Sequence, residues 1–319
     1  MKDTDQVMRS SRSAIVIGTR GSRLAIWQAE WVQARLSELV PGLDVTLRRI
    51  RTTGDNILDV PLAEIGGKGL FIKEIEEALL RGEIDLAVHS MKDVPAILPE
   101  QLEIMGVPKR EDPRDALVSR TGAKLNDLPE GASVGTSSLR RQAQLRCHRP
   151  DLHIEVLRGN VDTRLRKLKE GEYDAVVLAA AGLRRMGWTS EITEYLQPSV
   201  CLPAIGQGAL GLEARRDDAF VCGLLARLED GPTRVAITAE RAFLARLEGD
   251  CQVPIAAYAQ VSEQTLSMDA LIASLDGSRV VRDAIKGSVV DAGSLGKELA
   301  ERLLASGGKA LLSEIYGRA

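Results

Sequence analysis

Residues Ile84–Pro95, I-D-L-A-V-H-S-M-K-D-V-P, decide the fold. Ile84, Leu86 and Val88 recur at period two, and the apolar run stops at a polar cluster closed by Pro95. That pattern predicts a short, mostly buried strand delivering His89, Ser90, Lys92 and Asp93 at its C-terminal end. In open α/β sheets ligands bind in the crevice outside those ends. Asp93, flanked by Lys92, is therefore a candidate catalytic carboxylate kept ionised by a neighbouring positive charge. Taken alone, the stretch also fits a solvated turn in which Asp93 caps the next segment.

Immediately upstream, Phe71–Arg81 reads as a helix with Ile72, Ile75 and Leu79 on one face and Gly82 as its stop. Further back, Ala14–Gly18 is a short apolar strand. After the turn T-R-G-S-R a helix runs from about Leu24 to Leu39, its buried stripe Ala25, Ala29, Val32, Leu36 and Leu39. Ser22 is placed as its N-cap, and Arg20 and Arg23 beside the helix start make an anion site or, on the plainer reading, two exposed arginines. Leu43–Arg51 alternates as a second strand. Strand, helix and strand in succession imply a β-α-β unit and a parallel sheet. Residues 52–69 show no convincing period, and loops of that length tend to be lids or disordered segments. Gly66, Gly67 and Gly69 around Lys68 suggest a flexible hinge offering a cation. Residues 1–13 are polar and expected to be disordered.

Downstream the same logic repeats. Pro108 and Pro113 mark a boundary, and Asp115–Ser119 begins a new strand. Ser133–Gly135 leads into T-S-S-L-R-R-Q, with hydroxyls Thr136, Ser137 and Ser138 at a helix start and Arg140 and Arg141 in its first turn. Cations there oppose the helix dipole, so local helix stability does not explain them, and a functional role is expected. Strand Ile154–Leu157 ends at Arg158, with Arg164 on the next helix. Strand Asp174–Ala179 is followed by Arg184 and Arg185. Several strand ends carrying arginine with glycine or hydroxyl residues suggest gathered anion recognition. Pro198–Gly208 has the composition of a hinge, Ala209–Ala214 is a strand and Asp217–Leu228 a helix, read as a return to the first domain. Two α/β lobes joined by two crossings, with a ligand cleft between them, are expected. Thr233–Leu247, an alternating stretch at Thr265–Ser274 and a helix from about Gly293 predict a smaller α+β domain.

The 319 residues exceed one ordinary core, and 44% hydrophobic with 27% charged residues describe a globular protein. Aromatic residues are 3% and the net charge is −3, which argues against stacked-base platforms and a basic field for nucleic acid. No window approaches about 18 apolar residues, so no membrane span is expected. Cys147, Cys201, Cys222 and Cys251 are scattered with no C-x-x-C pair, so neither a metal site nor a disulfide framework is expected. The opening M-K-D-T-D-Q-V-M-R lacks the apolar core of a signal peptide, which predicts a cytoplasmic protein with reduced thiols. Cys251 lies in a loop between Asp250 and Pro254, where a reactive thiol is more expected than at Cys201 or Cys222, although Asp250 would raise its pKa.

The segments T-R-G-S-R-L-A-I-W-Q-A, G-G-K-G-L-F, H-S-M-K-D-V-P, G-T-S-S-L-R-R-Q, R-G-N-V-D-T-R-L, A-A-A-G-L-R-R, P-A-I-G-Q-G and E-G-D-C-Q-V-P-I occur in this order. Together they resemble the porphobilinogen deaminase (hydroxymethylbilane synthase) family, over essentially the whole chain from about Ile15. The resemblance implies two lobes like type II periplasmic binding proteins, joined by a double crossover, and a small α+β C-terminal domain. The domains would be 14–108 with 209–228, then 109–202, a hinge at 203–208, and 229–319 carrying the cofactor cysteine. It implies a dipyrromethane cofactor held through a thioether to Cys251. Four porphobilinogen molecules would be joined to it head to tail with loss of ammonia, and hydrolysis would release hydroxymethylbilane, a haem precursor. Asp93 would stabilise the cationic electrophile and act as acid and base. The acetate and propionate groups of cofactor and substrate would be held by Arg20, Arg140, Arg141, Arg158, Arg164 and Arg185, with Ser22, Lys68, Ser90, Lys92, Thr136, Ser137 and Ser138. Porphobilinogen and the growing polypyrrole would be the only partners of a monomer. Many relatives have glycine where this chain has Asp250, for which slower cofactor attachment is the expected effect at most. The competing reading is a two-lobed anion-binding module without catalysis, which leaves Cys251 and the third domain unexplained.

Overall fold

The structure, a computed structural model, describes residues 12–56, 71–247 and 253–317. The described chain falls into two compact units, one of residues 12–56, 71–110 and 209–234, the other of residues 111–208, 235–247 and 253–317.

In the first unit, β1 (Ala14–Thr19) leads to α1 (Arg23–Leu39) and back to β2 (Asp44–Arg49). The Ser22 hydroxyl accepts from the Ala25 amide at 3.3 Å and caps α1 as its position predicts. Ala29, Val32 and Leu36 are buried as expected, and Gln28 joins them, donating to the Ser90 hydroxyl at 3.0 Å. Helix α2 (Lys73–Leu80) precedes β3 (Leu86–Ser90), the strand read from Ile84–Pro95, which gives way to a single 3-10 turn at Met91–Asp93. Next come β4 (Leu102–Gly106) and, after the excursion into the second unit, β10 (Leu210–Arg215) and α6 (Ala219–Ala226). The sheet order is β2-β1-β3-β10-β4. β1 runs parallel to β2 and β3, as a β-α-β unit requires, whereas β10 is antiparallel to both β3 and β4. The sheet is therefore mixed rather than parallel. Ile15, Ile17, Leu86, Val88, Leu210 and Leu212 bring its buried face to α1 and α6.

The second unit repeats the plan. It contains β5 (Asp115–Ser119), β6 (Ser133–Gly135), α3 (Leu139–His148), β7 (His153–Glu155), α4 (Val161–Lys169), β8 (Ala175–Ala179), α5 (Ala180–Arg185) and β9 (Glu194–Tyr195). Their order, β7-β6-β8-β5-β9, matches the first sheet position for position. The antiparallel strand is again fourth, but here it is β5, the first strand of the unit in sequence. Each antiparallel strand is thus the one the chain lays down on crossing from one lobe to the other. This is the doubly crossed topology of type II periplasmic binding proteins.

The second unit also holds the antiparallel meander β11 (Ile255–Ser262), β12 (Thr265–Ala273) and β13 (Val280–Ser288), backed by α7 (Gly231–Leu247), α8 (Ala292–Leu303) and α9 (Lys309–Tyr316). Its core gathers Phe243, Leu266, Met268, Ile272, Leu299 and Leu303. A smaller apolar contact of Ala143 and Leu202 with Ala256, Leu271 and Ala273 joins it to α3, and Arg146 donates to the Leu275 carbonyl at 2.9 Å. At Gly296 of α8 the backbone of α7 comes so close that a Cβ would run into the carbonyl oxygen of Ala239. Rigid backbone cannot yield there, so Gly296→Ala should force the helices apart and cost about 1–3 kcal/mol. A lower urea midpoint is expected, and an unchanged one would contradict this close packing.

Candidate active site

In the first unit the candidate residues gather at the C-terminal ends of two adjacent parallel strands. Arg20 and Ser22 follow β1, and Ser90, Lys92 and Asp93 follow β3. The Arg20 guanidinium lies over the Phe71 ring, 4.0 Å from its centroid. Asp93 is half-buried, and among the described residues its carboxylate has no hydrogen-bond or ion-pair partner. Backbone bonds help fix its turn, Val94 N to Met91 O at 3.1 Å and Met91 N to Ala209 O at 3.0 Å. A carboxylate so placed is available to a ligand. Lys68, like Cys251 and Asp250, lies outside the described residues.

In the second unit β6, β7 and β8 are parallel neighbours, and their C-terminal ends bear the remaining candidates. The hydroxyls serve the local backbone. Thr136 Oγ1 accepts from Ser138 N at 3.3 Å, Ser137 Oγ donates to Leu157 O at 2.5 Å, and Ser138 caps α3 by accepting from Arg141 N at 3.5 Å. Arg164 donates to the Gly159 carbonyl at 2.7 Å. Arg158 differs, because its Nε is buried and finds no acceptor. Arg185 donates to the Gly208 carbonyl at 2.7 Å and has no carboxylate within ion-pair range among the described residues. Burial lowers its guanidinium to about 10, an effect Glu111 offsets only in part. Two cations short of anionic partners among the described residues of this unit suit a ligand rich in carboxylates.

Arg140 and Arg141, expected to line a cleft, are each only 5% exposed, and both pair with Asp115. Arg140 forks onto both Asp115 oxygens at 2.7 and 3.2 Å and donates to Leu202 O at 2.6 Å. Arg141 reaches Asp115 Oδ1 at 2.7 and 2.9 Å and Val177 O at 2.9 Å. The cations that oppose the α3 dipole are thus accounted for by a buried carboxylate in tertiary contact. Gln207 adds a donor to Asp115 Oδ1 at 2.9 Å. Burial would raise the Asp115 carboxyl, but the two guanidiniums outweigh it and hold the group far below the usual carboxylate range. The neighbouring Cys201 thiol is pushed up to about 12 by burial and Asp115, which makes it inert. Asp115 was missed as a structural centre; the available signal was a charge opening an otherwise apolar strand, R-D-A-L-V.

Comparison with known proteins gives the family. The model described as porphobilinogen deaminase, dipyromethane cofactor binding domain, matches residues 15–222, and the corresponding C-terminal domain matches residues 235–305. The chain belongs to the porphobilinogen deaminase family. The porphobilinogen deaminase of Trichlorobacter lovleyi is 59% identical, over 95% of this chain and 96% of its own. Those of Syntrophobacter fumaroxidans and Geobacter sulfurreducens are 56% and 57% identical, covering 98% and 95% of this chain and 99% and 95% of their own. Among solved structures, the periplasmic VFT2 domain of Bordetella pertussis BvgS is similar at 16% identity and a TM-score of 0.42, covering 72% of this chain and 91% of that one.

Because Asp115 alone neutralises two buried guanidiniums, Asp115→Ala should cost about 3–5 kcal/mol, far more than the loss of an exposed pair. Its folded pKa is depressed, so its stabilisation is present above the ordinary value of 3.8 and declines only as the pH falls below it. Urea unfolding at neutral pH is the measurement, and a midpoint shift no larger than that of an exposed-pair control such as Glu170→Ala would contradict the assignment.

Proposed function

We propose that Asp93 is the catalytic carboxylate of this family's reaction and that arginines at the strand ends hold the carboxylates of cofactor and substrate. The chain is an enzyme of tetrapyrrole biosynthesis, a transferase. It joins four porphobilinogen molecules head to tail, with release of ammonia, onto a dipyrromethane cofactor and hydrolytically releases hydroxymethylbilane. The match extends through both family domains, which a non-catalytic anion-binding module does not explain.

The partnerless Asp93 carboxylate at the end of β3 carries the residue-level reading. Loss of ammonia leaves positive charge on the substrate's pyrrole, and an ionised carboxylate beside it lowers the energy of that charge. The same group can hand a proton to the departing amine and take one from the attacking ring. Ser90 and Lys92 flank it, and Arg20 and Ser22 sit on the neighbouring strand end. The cofactor fits the donor set, since the buried, unsatisfied Nε of Arg158 and the desolvated Arg185 call for anions and dipyrromethane bears acetate and propionate groups. When bound it supplies the chain end onto which substrate is added. Arg158, Arg185 and Arg164 would hold it, while Arg140 and Arg141 brace the helix from which Thr136, Ser137 and Ser138 project. Attachment is assigned to Cys251 through a thioether, on a C-terminal domain of residues 229–319. The reading further takes Lys68 to contact substrate and the enzyme to act as a cytoplasmic monomer. Among the described residues no helix is long and apolar enough to cross a membrane.

Asp93→Asn tests this reading, because the amide keeps the shape and removes the charge. Thermal melting should be unchanged, and porphobilinogen consumption should fall by about 10²–10⁴-fold. Near-normal turnover would remove Asp93 from the chemistry.

A further inference from the structure

Beneath the strand end that carries Asp93 lies a buried polar cluster that the reaction does not use directly. His89 of β3 and Glu213 of β10 are diagonal neighbours across the antiparallel pair, since Gly211 opposes His89 and Glu213 opposes Ala87. Their side chains are 3% and 0% exposed, with His89 Nε2 and Glu213 Oε2 2.8 Å apart. An ionised carboxylate has no hydrogen to give, so His89 donates. Among the described residues the second oxygen of Glu213, Oε1, is buried without a partner, and so is Oε1 of Glu76 on α2. Two such orphans on neighbouring elements are expensive unless one bears a hydrogen.

We propose that Glu213 and Glu76 are positioning residues for Asp93, acting through His89, with one proton held on Glu76. This inference rests on Asp93 being the catalytic carboxylate. The path is short. Glu213 orients His89, His89 precedes Ser90, and Ser90 is held by Gln28 while Met91 N is held by Ala209 O, which together place the turn bearing Asp93.

The charges around Glu76 agree. Burial raises its carboxyl to about 7, Glu213 adds to the rise, and His89 opposes it. From β10, Arg215 turns to the Leu79 and Ile84 carbonyls and to Asp85 and Asp218 instead. On α2 itself Glu74 accepts from Thr53 and Glu77 pairs with Arg81 at 3.6 Å, while Lys73 is exposed. β1 presents no ionisable group to the helix. A carboxyl raised above its ordinary 4.5 stabilises the fold fully below that pH, and the contribution is lost as the pH rises through about 7. Above it, two carboxylates repel across the interface between α2 and the sheet.

The test uses the full chain. Melting temperatures of the wild type and Glu76→Gln are compared between about pH 5 and pH 9, alongside kcat and KM for porphobilinogen. The wild type should lose melting temperature relative to Glu76→Gln as the pH rises to about 7 and then run parallel to it. Its alkaline loss of kcat should be absent in the variant. Glu213→Gln should lower kcat about 10- to 100-fold with a smaller change in KM. Parallel melting curves throughout would overturn the proton on Glu76. A melting effect with an unchanged kcat profile would overturn the positioning role. Should Glu76→Gln fold poorly, infrared titration of the wild type decides. A protonated carboxyl band lost near neutral pH supports the proposal, and its absence in acid contradicts it. Failure of the wild type to consume porphobilinogen would instead overturn the enzymatic reading, and with it the positioning role, while the melting curves still decide the proton.

Discussion

Asp115 is fully buried and ionised, which is tolerable only because Arg140 and Arg141 surround it at hydrogen-bonding distance. Removing a carboxylate from water is costly, and so is removing two guanidiniums, so each group is stable there only while the others are present. The consequence is architectural. Asp115 opens β5, Arg140 and Arg141 start α3, Arg141 also holds the middle of β8 through Val177 O, and Gln207 ties in the segment that leads out of the unit. One triad therefore sets the relative positions of the strand ends on which the unit's anion-binding candidates stand.

The two sheets share one plan, and function follows from it. Parallel strands end together at one edge, so residues far apart in sequence, such as Thr136 and Arg158, follow neighbouring strand ends without long loops. The first sheet offers a carboxylate among cations, and the second offers cations short of anions. A rigid strand end also helps keep the Asp93 carboxylate in place, since Met91 N bonds to Ala209 O where its turn begins.

Much of this was legible from periodicity. Alternation in Ile84–Val88 and the four-and-three stripe after Ser22 located β3 and α1, because burial of one face imposes those periods. Short edge strands such as β9 and the half-buried β4 left no comparable signal, and the antiparallel direction of β10 depends on a long-range crossing that local pattern does not encode. Charges were harder to read. A pair of arginines at a helix start looks the same whether it awaits a ligand or neutralises an aspartate some 25 residues away, and only the fold distinguishes the two. Likewise Glu213, inside L-G-L-E-A-R, gave no hint that His89 was its partner. Motif order alone identified Cys251 and Lys68, which lie outside the described residues.

The central claim is that this chain builds its product on a cofactor held by its own cysteine, and intact mass with peptide mapping around Cys251 tests it most directly. The account predicts that the protein as purified is heavier by two linked pyrrole units, located on the peptide containing Cys251, or that unmodified protein gains them on incubation with porphobilinogen and then releases ammonia. A chain that stays unmodified at Cys251 after that incubation would contradict it.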